Sequence, residues 1–424
     1  MNILILGATG FIGSVVAARL VAEGHAVTGL GRNPMRARLK QPAIDWRRAD
    51  LSHMTKVDDW DEILNGQHAV VNCAGALQDG LSDNLAATQV EAMLALYAAA
   101  KRGSQPLIVQ ISARTAGAAG DLPFLATKRR ADEALAASGL PCLILRPALV
   151  LGRNAHGGSS LLRALAALPL ALPLVHAESP VEMLSVDDVA EAVSRAVAVG
   201  LRGDIDLADD ETLTLADLVS LHRQWLGLPP ARVFSLAPWL AKPVMWLADV
   251  AGLLGWRSPL RSTAMTVMSE GIRSVKGESG LVATSAAATL SANPSGVQDL
   301  WFARLYLLKP LVISGLSAFW LLSGLIPLLA LQKTSAHFLP FMPESTATAL
   351  TLATCLIDVA LGAAVLVRPL AKRALLGMLA VSFAYLAGAS LLEPMLWLDP
   401  LGPLVKVLPS ILLTLTALAT LDER

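Results

Sequence analysis

Gly7, Gly10 and Gly13 constrain this chain more than any other residues. They follow the apolar run Ile3-Leu4-Ile5-Leu6 at once, spaced G-x-x-G-x-x-G, and lead into a helical pattern from Phe11 to Glu23. A short, wholly apolar run reads as a buried parallel strand. Strand, glycine loop and helix in that order form a dinucleotide-binding turn, whereas a glycine triplet elsewhere is only a tight turn. Gly7 permits the turn, Gly10 lets a pyrophosphate reach the backbone at the helix N-terminus, and Gly13 lets helix and strand pack closely. Thr9, Phe11 and Ile12 complete this cofactor loop.

The following residues alternate strand and helix patterns. Strands are expected at Ala26–Leu30, Ile44–Arg48, His68–Cys73, Leu107–Ser112 and Cys142–Arg146, with a late strand at Asp204–Asp206 and a helix within Thr212–Gly227. Such alternation implies a parallel sheet with helices on both faces, and ligands beyond the C-terminal strand ends. The second strand ends in Gly31-Arg32-Asn33, where a carboxylate would bind the ribose hydroxyls of NAD. A guanidinium there suits a 2′-phosphate, so NADP(H) is favoured, with NAD(H) the alternative if Arg32 is only a solvated loop residue.

At 424 residues the chain should hold two or more units. Its formal net charge is zero, which gives no reason to expect a nucleic-acid partner. Only 16% of residues are charged and the mean hydropathy is +0.55, with the excess concentrated towards the C-terminus. No basic stretch precedes the first apolar run, so the N-terminal part is expected to stay in the cytosol. Cys73, Cys142 and Cys355 are scattered and suggest neither a disulfide framework nor a metal site.

Residues 1–230 resemble the short-chain dehydrogenase/reductase superfamily, in its extended or atypical branch. The resemblance rests on Gly7–Gly13, Ala49-Asp50-Leu51, Asn72-Cys73-Ala74-Gly75, Ser112, Lys128, Arg146-Pro147 and Val186-Asp187-Asp188-Val189-Ala190. It is nearest in kind to atypical members around the complex I 39 kDa subunit and to NmrA-like cofactor sensors. It implies that Asp50 and Leu51 meet the adenine, that Asn72, Ala74, Gly75 and Pro147 line the cofactor, and that Ser112 and Lys128 serve both cofactor and catalysis. The family places a Tyr four residues before the Lys, where the cation lowers its pKa for proton exchange with substrate. Here that position is Phe124. Thr127, Arg114, Thr115 and His156 are weaker candidates to supply a proton. An epimerase or dehydratase reading, common in the family, also needs the missing Tyr.

Asn154–Pro180 is apolar and would cover the substrate, which points to a lipophilic ligand, to membrane contact or simply to helix packing. Residues 231–299 read as a connecting region. Within it Leu236–Trp256 carries three tryptophans, as an interfacial helix would, and Ser279–Gly296 looks like a linker strand or loop. Residues 300–424 hold four apolar segments, Leu311–Leu331, Ala347–Val367, Ala374–Leu392 and Leu404–Leu421, each near the ~20 residues needed to span hydrocarbon. Arg368, Lys372 and Arg373 crowd one short loop, which places both termini on the cytosolic side of the inner membrane. The tail resembles the DoxX-like membrane family in segment count and in Ile357-Asp358-Val359-Ala360-Leu361-Gly362. Asp358 lies mid-segment and is an intramembrane functional candidate, with Lys406 as a possible partner.

The expected fold is therefore α/β, a Rossmann-like doubly wound parallel sheet, followed by an all-α four-helix transmembrane bundle. The expected activity is a membrane-anchored NADP(H)-dependent oxidoreductase acting on a lipophilic substrate such as a quinone, or working with a respiratory-chain partner. A non-catalytic cofactor-binding scaffold or redox sensor is the alternative.

Overall fold

The structure is a computed structural model that describes residues 1–424 except 76–78, 81–83, 115–117, 273–282, 401 and 423–424. Thr115 and part of the Ser279–Gly296 stretch lie outside the described residues. The main sheet uses β1 (Asn2–Leu6), β2 (Ala26–Gly31), β3 (Asp45–Arg48), β4 (Ala69–Asn72), β5 (Leu107–Ile111) and β6 (Cys142–Pro147). Four short strands intervene, β7 (Leu149–Leu151), β8 (Ala171–Val175), β9 (Pro180–Val181) and β10 (Met183–Ser185), before β11 (Gly203–Leu207) closes the sheet. Its order is β3-β2-β1-β4-β5-β6-β11, and every neighbouring pair is parallel.

Alternation along the strands builds two apolar layers. Ile3 and Ile5, with Val71, Val109 and Leu143, face α1 (Phe11–Ala22) and later α7 (Val186–Val199). Leu4 and Leu6, with Val70, Ile108 and Ile144, face the opposite layer. After α2 (Pro34–Lys40) and the single turn α3 (Asp61–Leu64), that layer is built by α4 (Ala92–Arg102) and α5 (Pro123–Ala137), where Leu96, Tyr97, Ala131 and Leu135 are buried.

A smaller lobe contains α6 (Gly158–Ala166), α8 (Leu215–Trp225), β8, β12 (Leu213–Thr214) and β13 (Arg232–Leu236). Leu162, Ala166, Leu172 and Leu174 from the apolar Asn154–Pro180 stretch are buried in its core. Ordinary packing therefore accounts for most of that stretch, although Leu170 is exposed. Helices α9 (Pro238–Leu253), α10 (Ser262–Glu270) and α11 (Ala286–Ala292) follow. Helix α11 corrects the expectation of a linker strand or loop: Ser285 caps it by accepting the Ala288 N–H, and Ala286 and Leu290 are buried.

The chain divides into two compact units, Met1–Asp249 with Ser258–Ala303, and Val250–Arg257 with Arg304–Arg424. The second unit is helical. It takes most of α12 (Val297–Leu329), then the short α13 (Leu331–Ser335), α14 (Glu344–Ala364), α15 (Arg368–Leu392) and α16 (Val407–Thr420). Three of these, α12, α14 and α15, are long and apolar enough to cross a membrane. The fourth expected span is shorter than the sequence pattern suggested. Helix α16 has 14 residues, about 21 Å at ~1.5 Å per residue against a ~30 Å hydrocarbon core.

Within this unit α12 and α14 approach closely. A Cβ on Gly324 would stand 2.5 Å from the Cys355 carbonyl oxygen, and one on Gly362 would stand 2.8 Å from the Leu321 nitrogen. Small residues permit such backbone contact between apolar helices. Asp358 does not pair with Lys406. Its two oxygens accept hydroxyls from Ser323 of α12 and Tyr385 of α15, each at 2.8 Å.

Candidate functional site

The three glycines meet at the C-terminal end of β1. Gly7 has φ +70°, and a Cβ there would lie 2.8 Å from the backbone of Ala74. The Gly10 N–H donates to the Gly7 carbonyl at 2.8 Å, and a Cβ on Gly13 would collide with that same carbonyl. Gly10 caps α1 without a side-chain hydrogen bond. The first amides of α1 are thus left to an external acceptor, the arrangement that suits a pyrophosphate. Thr9 is exposed beside this turn, Ile12 packs into the core, and the Phe11 ring lies 6.3 Å from the His156 ring.

Asn72 supports the floor rather than facing outward. It is buried, donates to Gln110 Oε1 at 2.8 Å, and accepts the Ala74 N–H at 2.9 Å. That bond sets the Cys73–Gly75 turn against which Gly7 fits. Gly75 in turn faces Lys128, whose Nζ would be 3.6 Å from a Cβ at that position. Lys128 is buried and donates to the Ile111 carbonyl at 3.1 Å. Burial pulls its pKa below the usual lysine value, and Asp132 partly opposes this.

The first turn of α5 carries Phe124, half-buried, one turn before Lys128. Ser112 donates its hydroxyl to Asp132 at 2.5 Å. Thr127 hydrogen-bonds the Pro123 and Phe124 carbonyls, and Arg114 is exposed. Pro147 ends β6. After β3, Asp50 accepts both the amide and the hydroxyl of Ser52, opening the turn that begins at Leu51. Burial would raise the Asp50 pKa, but the Ser52 bonds and the Arg32 charge hold it below the usual carboxylate value.

Asp132 escaped sequence reasoning, although its position four residues after Lys128 puts both on one helix face. It is 3% exposed, accepts from Ser112, and lies 3.7 Å from Arg146 Nε. Burial pushes its carboxyl up to about 6, against the Ser112 hydrogen bond and the Lys128 and Arg146 charges. A folded-state pKa above the unfolded value means that the native state holds the extra proton between about pH 4 and 6. Stability therefore falls as pH rises through that window, by at most about 3 kcal/mol from this group. Asp209, raised to about 6 chiefly by burial, adds to the fall, whereas His222, lowered to about 4 by burial, works the other way. Asp132→Asn keeps an acceptor for Ser112 and should flatten the difference in melting temperature between pH 4 and 6. An unchanged difference relative to wild type would show that Asp132 does not titrate there.

Arg163 was also missed. It is buried, donates to the carbonyls of Gly152 (2.7 Å) and Arg153 (3.1 Å), and stacks 4.5 Å from the Trp225 ring. Burial lowers its pKa to about 10, while Asp299 at 3.4 Å opposes the shift. Gly152 lies against Phe11, so Arg163 fixes the loop beside the glycine turn.

Residues 7–199 match the NAD(P)H-binding family, and residues 317–415 match the DoxX-like family. A 3-diazoavenalumate denitrifying reductase from a Streptomyces species is 30% identical over 271 residues, 56% of this chain and 86% of that protein. The chain belongs to the NAD(P)H-binding family. Behind its Rossmann-like NAD(P)H-binding domain the chain carries a DoxX-like domain. An uncharacterised protein of Mycobacterium tuberculosis is 29% identical over 218 residues, half of this chain, and the match spans 22% of the relative's length. UDP-N-acetylglucosamine 4-epimerase from Bacillus cereus superposes with a TM-score of 0.50 at 17% identity, covering 72% of this chain and 99% of the epimerase. At that identity the likeness concerns the fold alone.

Proposed function

We propose that this protein is a membrane-anchored NADP(H)-dependent reductase that passes a hydride to a lipophilic acceptor such as a quinone. The observation that carries the reading is an intact dinucleotide cradle, Gly7–Gly13 with Gly75 and Lys128, beside a position where Phe124 replaces the usual acid. A bound reduced nicotinamide supplies the hydride. Lys128 would hold the nicotinamide ribose, and the Phe124 ring would keep that side of the site apolar. No proton leaves residue 124, so a quinone accepting the hydride takes its proton from solvent and becomes the quinol. The relationship to a reductase supports this reading over a sugar-nucleotide epimerase, whose chemistry needs the missing phenol. Purified protein in detergent, mixed with NADPH and a short-chain quinone, should consume NADPH absorbance steadily.

A second reading, a cofactor-binding scaffold or redox sensor, is favoured by the Ser112 hydroxyl being engaged with Asp132 while Phe124 offers no acid. Tight NADPH binding with no oxidation by any carbonyl or quinone acceptor would select it.

The cofactor preference rests on Arg32, at the end of β2 and close enough to Asp50 to lower its pKa. Losing a charge-assisted contact to the 2′-phosphate costs about 1.5–3 kcal/mol. Arg32→Ala should therefore cut the preference for NADPH over NADH at least ~10-fold. Equal affinities in the wild type would overturn the NADP assignment.

For location, we propose the inner membrane with both termini cytosolic, the short α16 returning the chain to the basic side, where the Leu421 carbonyl accepts from Lys309 and Arg368. Full-length protein should resist carbonate extraction, and release into the soluble fraction would contradict an integral anchor.

A further inference from the structure

Helix α9 is inverted relative to an ordinary surface helix, which buries its apolar stripe. Trp239 and Trp246 are 64% and 65% exposed, and seven residues make about two turns, so they share one face. Leu240, Val244 and Leu247 extend that exposed face, while Ala248 is buried on the other side. The charges are sparse. Lys242 is exposed, and Asp249 is tied to Arg261 at 3.1 Å. Just before the helix, Phe234 of β13 is also exposed.

The far end of the same stretch, from Val250, is part of the helical unit. Trp256 donates its indole N–H to the Leu366 carbonyl at 2.6 Å, and the Arg368 N–H donates to Leu254 at 2.9 Å. Arg368 and Lys309 flank the Trp256 ring at 5.4 and 5.9 Å, and both donate to the Leu421 carbonyl. Lys372 and Arg373 follow Arg368 in the first turns of α15. The stretch is therefore anchored at the end of the apolar helices where the cations gather, the level at which tryptophan and basic side chains meet lipid headgroups.

We propose that the exposed face of α9 is a lipid-contact surface, lying in the phospholipid headgroup layer on the basic side of the bundle. The exposed tryptophans seat their rings at the headgroup boundary, and Lys242 reaches the phosphates from the edge of that face. This rests on the reading that α12, α14 and α15 cross the bilayer.

Spin labels on the full-length protein in phospholipid nanodiscs test it, with Cys73, Cys142 and Cys355 replaced by alanine. Labels at Trp239→Cys and Trp246→Cys should collide with oxygen several-fold more than with a water-soluble nickel chelate. Leu39→Cys, exposed on α2, serves as the water reference, and Phe383→Cys, exposed on α15, as the lipid reference. Accessibility to nickel at 239 and 246 like that at 39 overturns the proposal. Exclusion of both reagents, which means cover by protein or a second copy, also overturns it. Lipid character at 383 with water character on α9 defeats this inference alone, whereas water character at 383 defeats the membrane reading beneath it. Wild-type protein in nanodiscs of a photoactivatable phospholipid gives an independent measure. Crosslinks should fall on residues 239–247, and their absence there, with crosslinks present on α15, refutes lipid contact.

Discussion

Phe124→Tyr is expected to raise carbonyl reductase activity towards simple ketones about 10²- to 10⁴-fold, the usual contribution of a placed proton donor. Residue 124 lies in the first turn of α5, one turn before Lys128. A phenol there would feel the Lys128 cation, and its pKa should fall below the ~10 of a free tyrosine. The gain should sit towards the lower end of that range, because the Ser112 hydroxyl donates to Asp132 at 2.5 Å and is not free to assist. Single-turnover absorbance with saturating NADPH measures the step directly. If wild type reduces quinones and the variant gains nothing with ketones, position 124 lies outside the chemistry. If neither protein transfers hydride while both bind NADPH, the scaffold reading prevails.

Gly10→Val is expected to remove NADPH binding below the detection limit of calorimetry. A Cβ at Gly10 already stands 3.0 Å from the Gly7 carbonyl, and the two further methyls of valine would fill the approach to the α1 amides. Those amides carry no side-chain cap, so a bulky residue removes an anion site without breaking a structural bond. Helicity should be retained, with a lower melting temperature from strain at the turn. Retained micromolar affinity would sink the pyrophosphate assignment.

The main sheet was legible chiefly through β1, β4, β5 and β6, short apolar runs that lead into glycine or polar residues. Ile3–Leu6 alternates between two buried layers, and that buried-on-both-faces pattern announces a parallel strand. The small paired strands β7 to β10, with β12 and β13, were not legible, since two- to five-residue strands carry too little periodicity. Helix α11 hid in an Ala/Ser/Thr stretch whose composition resembles a linker, and only its burial against the lobe reveals it. The fourth membrane segment read long because apolarity continues beyond the helix, from Leu404 to Leu421, while the helix itself runs from Val407 to Thr420.

At the site, Gly7 lies against Ala74, and Gly75 lies against Lys128. What a linear reading could not give was direction. Asn72 turns inward to brace the Ala74 amide, Ser112 turns to Asp132, and Arg163 reaches back to the Gly152 carbonyl. Each depends on partners 2 to 20 residues away whose approach is set by the tertiary fold.

The contact of Asp358 with Ser323 and Tyr385 bears on how this protein is assembled. A lone carboxylate at mid-membrane costs about 2.5–3.5 kcal/mol on the scale of biological insertion. On the proposal that α14 crosses the bilayer, this helix by itself is a reluctant passenger. The two hydroxyls that receive its carboxylate arrive on different helices, one made before it and one after. The ribosome must deliver α15 before Asp358 is fully satisfied, so α14 is expected to settle late, with its flanking helices already beside it. The same contact acts as a key between the three helices: rotating or sliding any one of them would take at least one hydroxyl away from the acid. Biogenesis, rather than turnover, is the process that a leucine at position 358 should alter first.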